Sequence, residues 1–115
     1  MGPGRSGPVI VMDLQPVLQE LKAGLQQLYG ERLKGVYLFG SRARGDAEAD
    51  SDIDIAVVLD DFSSAYAEIR RWSELASEVG LRYTCVPMLV AIREADWQRR
   101  DDSFLRNVHR EGVAV

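Results

Sequence analysis

Between Gly40 and Asp54 the chain reads GSRARGDAEADSDID, a Gly-Ser pair followed, ten residues on, by the alternating carboxylates Asp52 and Asp54. These residue types suit the handling of a metal-bound triphosphate. Successive side chains of a strand point to opposite faces, so Asp52 and Asp54 share one face with Cα atoms about 7 Å apart and can converge on one cation. Mg²⁺ takes hard oxygen ligands, commonly one or two carboxylates, with phosphates and waters filling its shell. Gly40 lets the backbone come close to a phosphate, and Ser41 offers a hydroxyl and an N–H at a turn where a short helix can begin. Arg42 and Arg44 can supply charge-assisted hydrogen bonds to a triphosphate. Taken singly, each feature also has a plain reading as a turn, an acidic loop or solvated surface charge. Their order and spacing carry the functional one.

The flanking segments must hold these groups in place. Residues 34–39 (KGVYLF) and 53–59 (IDIAVVL) have the β-branched and aromatic bias of strands, so the chemistry sits where one strand ends and the next begins. Ile53 and Ile55 then face the core and hold the carboxylates rigidly. Upstream, Asp13 is placed to cap a helix in which Leu14, Val17, Leu18, Leu21, Leu25 and Leu28 recur at helical spacing, with Pro16 in its first turn and Gly30 at its end. Downstream, Asp61 or Ser63 can cap a helix whose apolar face is Ile69, Trp72, Leu75, Ala76 and Val79, with Gly80 as its stop. The apolar run 81–92 predicts a third strand, with Pro87 at a bulge or edge. A last helix over 94–109 turns Trp97, Phe104, Leu105 and Val108 inward, and Gly112 releases the chain. The expected fold is α+β, a small mixed β-sheet backed by helices in the order α-β-β-α-β-α.

Length and composition narrow the classes. The 115 residues suit one domain, 13–115, after a disordered Gly- and Pro-rich leader, 1–12, that lacks the apolar core of a signal peptide. No apolar run approaches the roughly 20 residues of a membrane helix, and a cytoplasmic location is expected. A net charge of −4 argues against nucleic acid as the principal ligand, which calls for a dense basic surface. Basic residues are mostly arginine, consistent with genomic bias or with ion pairing at high temperature. The single Cys85 precludes an internal disulfide and reads as packing within LRYTCVPMLV; the single His109 reads as a surface residue near a helix C-terminus.

GSRARGDAEADSDID resembles the Gly-Ser-x10-Asp-x-Asp signature of the DNA polymerase beta-like nucleotidyltransferases. The chain's small size resembles their minimal type, which pairs with helical HEPN-domain proteins. The resemblance implies that Asp52 and Asp54 bind Mg²⁺ and that Gly40 and Ser41 contact the triphosphate, with Arg42 and Arg44 beside them. It implies transfer of a nucleoside monophosphate, AMP from ATP, to an acceptor hydroxyl on a partner protein, as in an antitoxin acting on a HEPN toxin. Members of this superfamily usually carry a third carboxylate on a neighbouring strand; residues 81–92 hold none, and the nearest acids are Glu78 and Glu94. That departure keeps open an alternative, a catalytically weak nucleotide-binding protein that neutralises its HEPN partner by stoichiometric association. Tyr66 is a candidate partner contact or an extension of its helix's apolar face, and self-association is left open.

Overall fold

The computed structural model describes residues 13–45 and 52–115; the leader expected over 1–12 and the loop 46–51 lie outside the described residues. A first helix, α1 (Gln15–Tyr29), begins with Pro16 in its first turn and ends at Gly30, whose positive φ of 55° a glycine adopts without penalty. The cap position falls to Leu14, which makes no side-chain cap bond, and not to the expected Asp13, whose carboxylate accepts from the Gln15 N–H at 3.0 Å. A 3₁₀ turn (Gly30–Arg32) leads into β1 (Leu33–Phe39), a four-residue helix α2 (Ser41–Arg44) follows, and β2 spans Ile53–Leu59. Then come α3 (Ala65–Tyr83), β3 (Pro87–Arg93), α4 (Glu94–Arg99), α5 (Ser103–Glu111) and a two-residue strand β4 (Val113–Ala114).

The sheet order is β3-β2-β1-β4. Strand β1 runs antiparallel to β2 and β4, whereas β2 and β3 are parallel, connected through α3. Strand β2 is central and buried on both faces, which is why it reads as a nearly continuous apolar run. Ile53, Ile55, Val57 and Leu59 face α1 and α3, packing with Val17, Leu21, Leu25, Trp72 and Val79. Ala56 and Val58 face the other way, against Leu105 and Val108 of α5 together with Phe39 and Ile92. Helices therefore cover both faces, and none of those described is long and apolar enough to cross a membrane.

Several local expectations change. Gly80 does not stop α3, which runs on to Tyr83 and ends at Thr84 in the left-handed conformation. Gly80 instead admits the returning chain: a Cβ there would lie 2.8 Å from the Cys85 carbonyl oxygen. The third strand accordingly starts at Pro87, since Leu81 belongs to α3; proline at the first position of an edge strand costs no ladder bond. The cap of α3 is Ser64, accepting from the Ala67 N–H, in place of Asp61 or Ser63. The single helix expected over 94–109 is two, broken where Arg100 takes a left-handed conformation and Asp102 caps α5 through the Leu105 N–H at 2.8 Å. Leu28 and Ile69 are exposed, and the inward positions beside them belong to Tyr29 and Glu68. His109 is not a bare surface residue: its ring stacks on Trp97, which stacks on Tyr37. Tyr66 is exposed.

One polar contact joins α1 to α3 inside the core. The Tyr29 hydroxyl donates to Glu68, 5 % exposed, at 2.8 Å, and Arg71 approaches the same carboxylate at 3.4 Å. Burial, and then the bond to Glu68, push the Tyr29 phenol pKa well up, so it remains a donor. Tyr29→Phe leaves a buried carboxylate short of a donor and is expected to cost about 1–3 kcal/mol in urea unfolding.

Candidate active site

The end of β1 and the start of β2 meet by antiparallel register. Phe39 pairs with Asp54, so Gly40 is the residue that leaves the sheet directly against the Asp54 carboxylate. Gly40 holds φ 76° and ψ −157°, and a Cβ there would overlap Asp54 Oδ2. Glycine is thus required here twice, by its dihedrals and by the approach of a carboxylate, whereas the sequence suggested room for a phosphate. The Gly40 carbonyl accepts from the N–H groups of Ala43 and Arg44 at 3.1 and 3.0 Å, closing the turn into α2 with Ser41 at its first position.

Asp54 lies on the α4/α5 face of β2, between buried Ile53 and Ile55 that anchor the strand from the opposite face. Asp52 precedes the strand and is exposed. Burial, and then the neighbouring negative charge of Asp52, push the Asp54 carboxyl pKa up, while Arg44 pulls it down. The charge of Asp52 thus reaches Asp54. The arginines diverge. Arg44 turns towards the C-terminal end of α5, where its Nη1 lies 3.2 and 3.3 Å from the Glu111 oxygens. Arg42 is half-buried and its charge acts on Cys85, whose thiol pKa is raised by burial and lowered by that arginine.

The acid missing from 81–92 has a structural counterpart. In the parallel register Met88 stands beside Asp54, so the position that would present a third carboxylate on the same face holds a thioether. Neither flanking acid replaces it. Arg93 pairs with Leu59, which lies about 17 Å along the strand from Asp54, so Glu94 falls beyond the far end of β2. Glu78 lies in a groove with Gly24 and Leu28 on the opposite side of the sheet. Among the described residues no three His, Cys, Asp or Glu side chains converge on a cation.

Glu111 lies outside the Gly-Ser-x10-Asp-x-Asp motif. Its Oε1 accepts from the Gly40 N–H at 3.1 Å, although 71 residues separate the two, and it also holds Arg44. A carboxylate in the last turn of a helix opposes the helix dipole, the one local oddity that could have marked it.

The electrostatics of Asp54 set a pH-dependent prediction. Because its pKa rises on folding from an ordinary 3.8, its stabilising contribution is complete below that value and is lost as the pH climbs through the raised one. Without ligands, Asp54→Asn is expected to melt a few degrees above the parent near pH 7, an effect moderated by solvent screening. The difference should vanish on acidification, as read by thermal melts across pH.

Comparison with known proteins bears directly on this arrangement. The nucleotidyltransferase domain family matches residues 18–112. A Methanocaldococcus jannaschii protein provisionally named a protein adenylyltransferase is 34% identical over 103 residues, covering 88% of this chain and 96% of its own length. A crystal structure of a toxin–antitoxin with AMP-PNP is 26% identical, with a TM-score of 0.55, covering 84% of this chain and 69% of the matched one. A tri-AMPylated Shewanella oneidensis HEPN toxin in complex with an MNT antitoxin supplies a chain of the same fold at 23% identity and TM-score 0.56, covering 89% and 71%. With the family matched over most of its length and the Gly-Ser turn set against its Asp-x-Asp strand, the chain belongs to the nucleotidyltransferase family.

Proposed function

We propose that the chain is a Mg²⁺-dependent protein adenylyltransferase that transfers AMP from ATP to a hydroxyl of a HEPN-type partner protein, in the manner of an antitoxin. The observation that carries this reading is the close approach of Gly40 to Asp54, which sets the Gly-Ser turn directly beside the Asp-x-Asp carboxylates. The adenylyltransferase name of the M. jannaschii relative supports the AMP group. The AMP-PNP bound by one structural neighbour and the AMPylated HEPN toxin held by another support ATP and the partner.

Asp52 and Asp54 fit a divalent cation, since two like charges in electrostatic contact, one partly buried, are relieved by a positive ion. When bound, Mg²⁺ would neutralise phosphate charge and make pyrophosphate a better leaving group. The protein's own residues do the rest. Ile53 and Ile55 lock the strand that carries Asp54, and Gly40 clears the space in front of it. Ser41, at the first position of α2, is the hydroxyl and N–H offered to the triphosphate, and Arg44 adds positive charge at the same edge. Arg42, being half-buried, would act at shorter range on the β3 side.

Met88 beside Asp54 favours a second reading, a nucleotide-binding antitoxin that neutralises its partner by association alone. Incubation with ATP radiolabelled at the α-phosphate, Mg²⁺ and a HEPN-type partner protein separates the two. Transfer of label to the partner is expected, falling by about two orders of magnitude in Asp52→Asn and in Asp54→Asn, the scale of removing a group that stabilises charge at the reacting centre. Tight association with no label on the partner, unchanged by either substitution, would establish the second reading.

A further inference from the structure

We infer that Glu111, at the C-terminal end of α5, is a positioning residue that fixes the Gly40–Ser41 turn and Arg44, so that the C-terminal segment controls nucleotide affinity; this rests on the nucleotidyltransferase reading of the site. Three contacts converge on its carboxylate. Oε1 accepts from the Gly40 N–H at 3.1 Å, and both oxygens lie within 3.3 Å of Arg44 Nη1. The side chain is 19% exposed although it is charged and sits in the last turn of a helix, where a carboxylate opposes the dipole. Gly40 and Arg44 offset that local cost with charge-assisted bonds.

The backbone on both sides of Glu111 is tied down. Leu105 and Val108 bury α5 against the sheet, and the Gly112 N–H donates to the Val108 carbonyl at 2.7 Å. A Cβ at Gly112 would come 2.5 Å from that carbonyl oxygen, so glycine permits the tight exit. Val113 and Ala114 then pair with Leu38 and Tyr37, the Val115 N–H donates to the Val36 carbonyl, and Lys22 Nζ donates to the Val115 carbonyl at 2.8 Å. Glu111 is thus held from the helix and from the strand that follows it, and its carboxylate transmits that rigidity to the turn.

The test uses the full chain with Glu111→Ala, which removes acceptor and charge, and Glu111→Gln, which keeps an amide oxygen for Gly40. Two readouts are followed below the melting temperature of every variant: amide hydrogen exchange at Gly40 by NMR, and the Kd for AMP-PNP with Mg²⁺. The expected result is loss of Gly40 protection and about tenfold weaker binding in Glu111→Ala, the scale of one charge-assisted bond, with Glu111→Gln retaining protection and binding within about threefold of the parent. A lower melting temperature in Glu111→Ala with unchanged Kd and Gly40 exchange would overturn the inference and leave Glu111 merely structural. Tighter AMP-PNP binding in Glu111→Ala would also overturn it, making the carboxylate a competitor of phosphate. Should Glu111→Ala not fold, Glu111→Asp, charged but one methylene short of Gly40, takes its place with the same expected losses. If the parent itself binds no triphosphate, the nucleotidyltransferase reading fails, and Gly40 exchange alone still decides whether Glu111 holds the turn.

Discussion

The pairing of Phe39 with Asp54 across β1 and β2 is the constraint on which the site depends. It brings the departing turn of one strand against the first outward carboxylate of the next. A one-residue slip would exchange the two faces of β2, sending Asp54 into the apolar layer beneath α1 and α3 and turning Ile53 and Ile55 towards α5. That alternative would bury a charge among leucines and valines, at a cost of several kcal/mol, so the register is strongly specified. The conformation of Gly40 follows from it, because only a residue without a side chain can leave the strand with the Asp54 carboxylate so near.

Burial on both faces makes β2 a rigid bar, and the polar groups cluster where its cover ends. Asp54 is placed where desolvation and its neighbour Asp52 both disfavour its charge. Natural sites commonly carry such local cost for function, supported by packing elsewhere. Here the support is the α1/α3 layer, itself cross-linked by the buried Tyr29–Glu68 bond.

The closure of the site from the C-terminal side gives this small fold its economy. Strand β4 extends the sheet by only two residues, yet together with α5 it presents Glu111 to the turn that begins the candidate active site. On the opposite flank β3 presents Met88 next to Asp54. The carboxylates of the candidate site thus come from β2 and the residue just before it, with Glu111 acting on the Gly40 turn and Arg44, and the family membership of the chain sits beside a β3 that carries no acid.

The sequence by itself determined the family, the strand–turn–strand motif and the two apolar helix faces, because these are local: a Gly-Ser turn, a two-residue alternation and a helical period are written within a few neighbouring positions. Trp72, Val79, Leu105 and Val108 could be assigned to the core for that reason. The ends of α3 and the break between α4 and α5 were less legible, since Gly80 signals a stop in isolation while the need to admit the Cys85 carbonyl retains it within a continuing helix. Glu111 was marked in the sequence only by its misfit with the helix dipole. Its partners lie 71 and 67 residues away, and their meeting depends on α5 docking against the far face of the sheet and on β4 joining β1. Tertiary structure alone decided that contact, as it decided that Met88 stands beside Asp54, because cross-strand register and helix docking are set by packing of the whole core and leave no signature in adjacent residues.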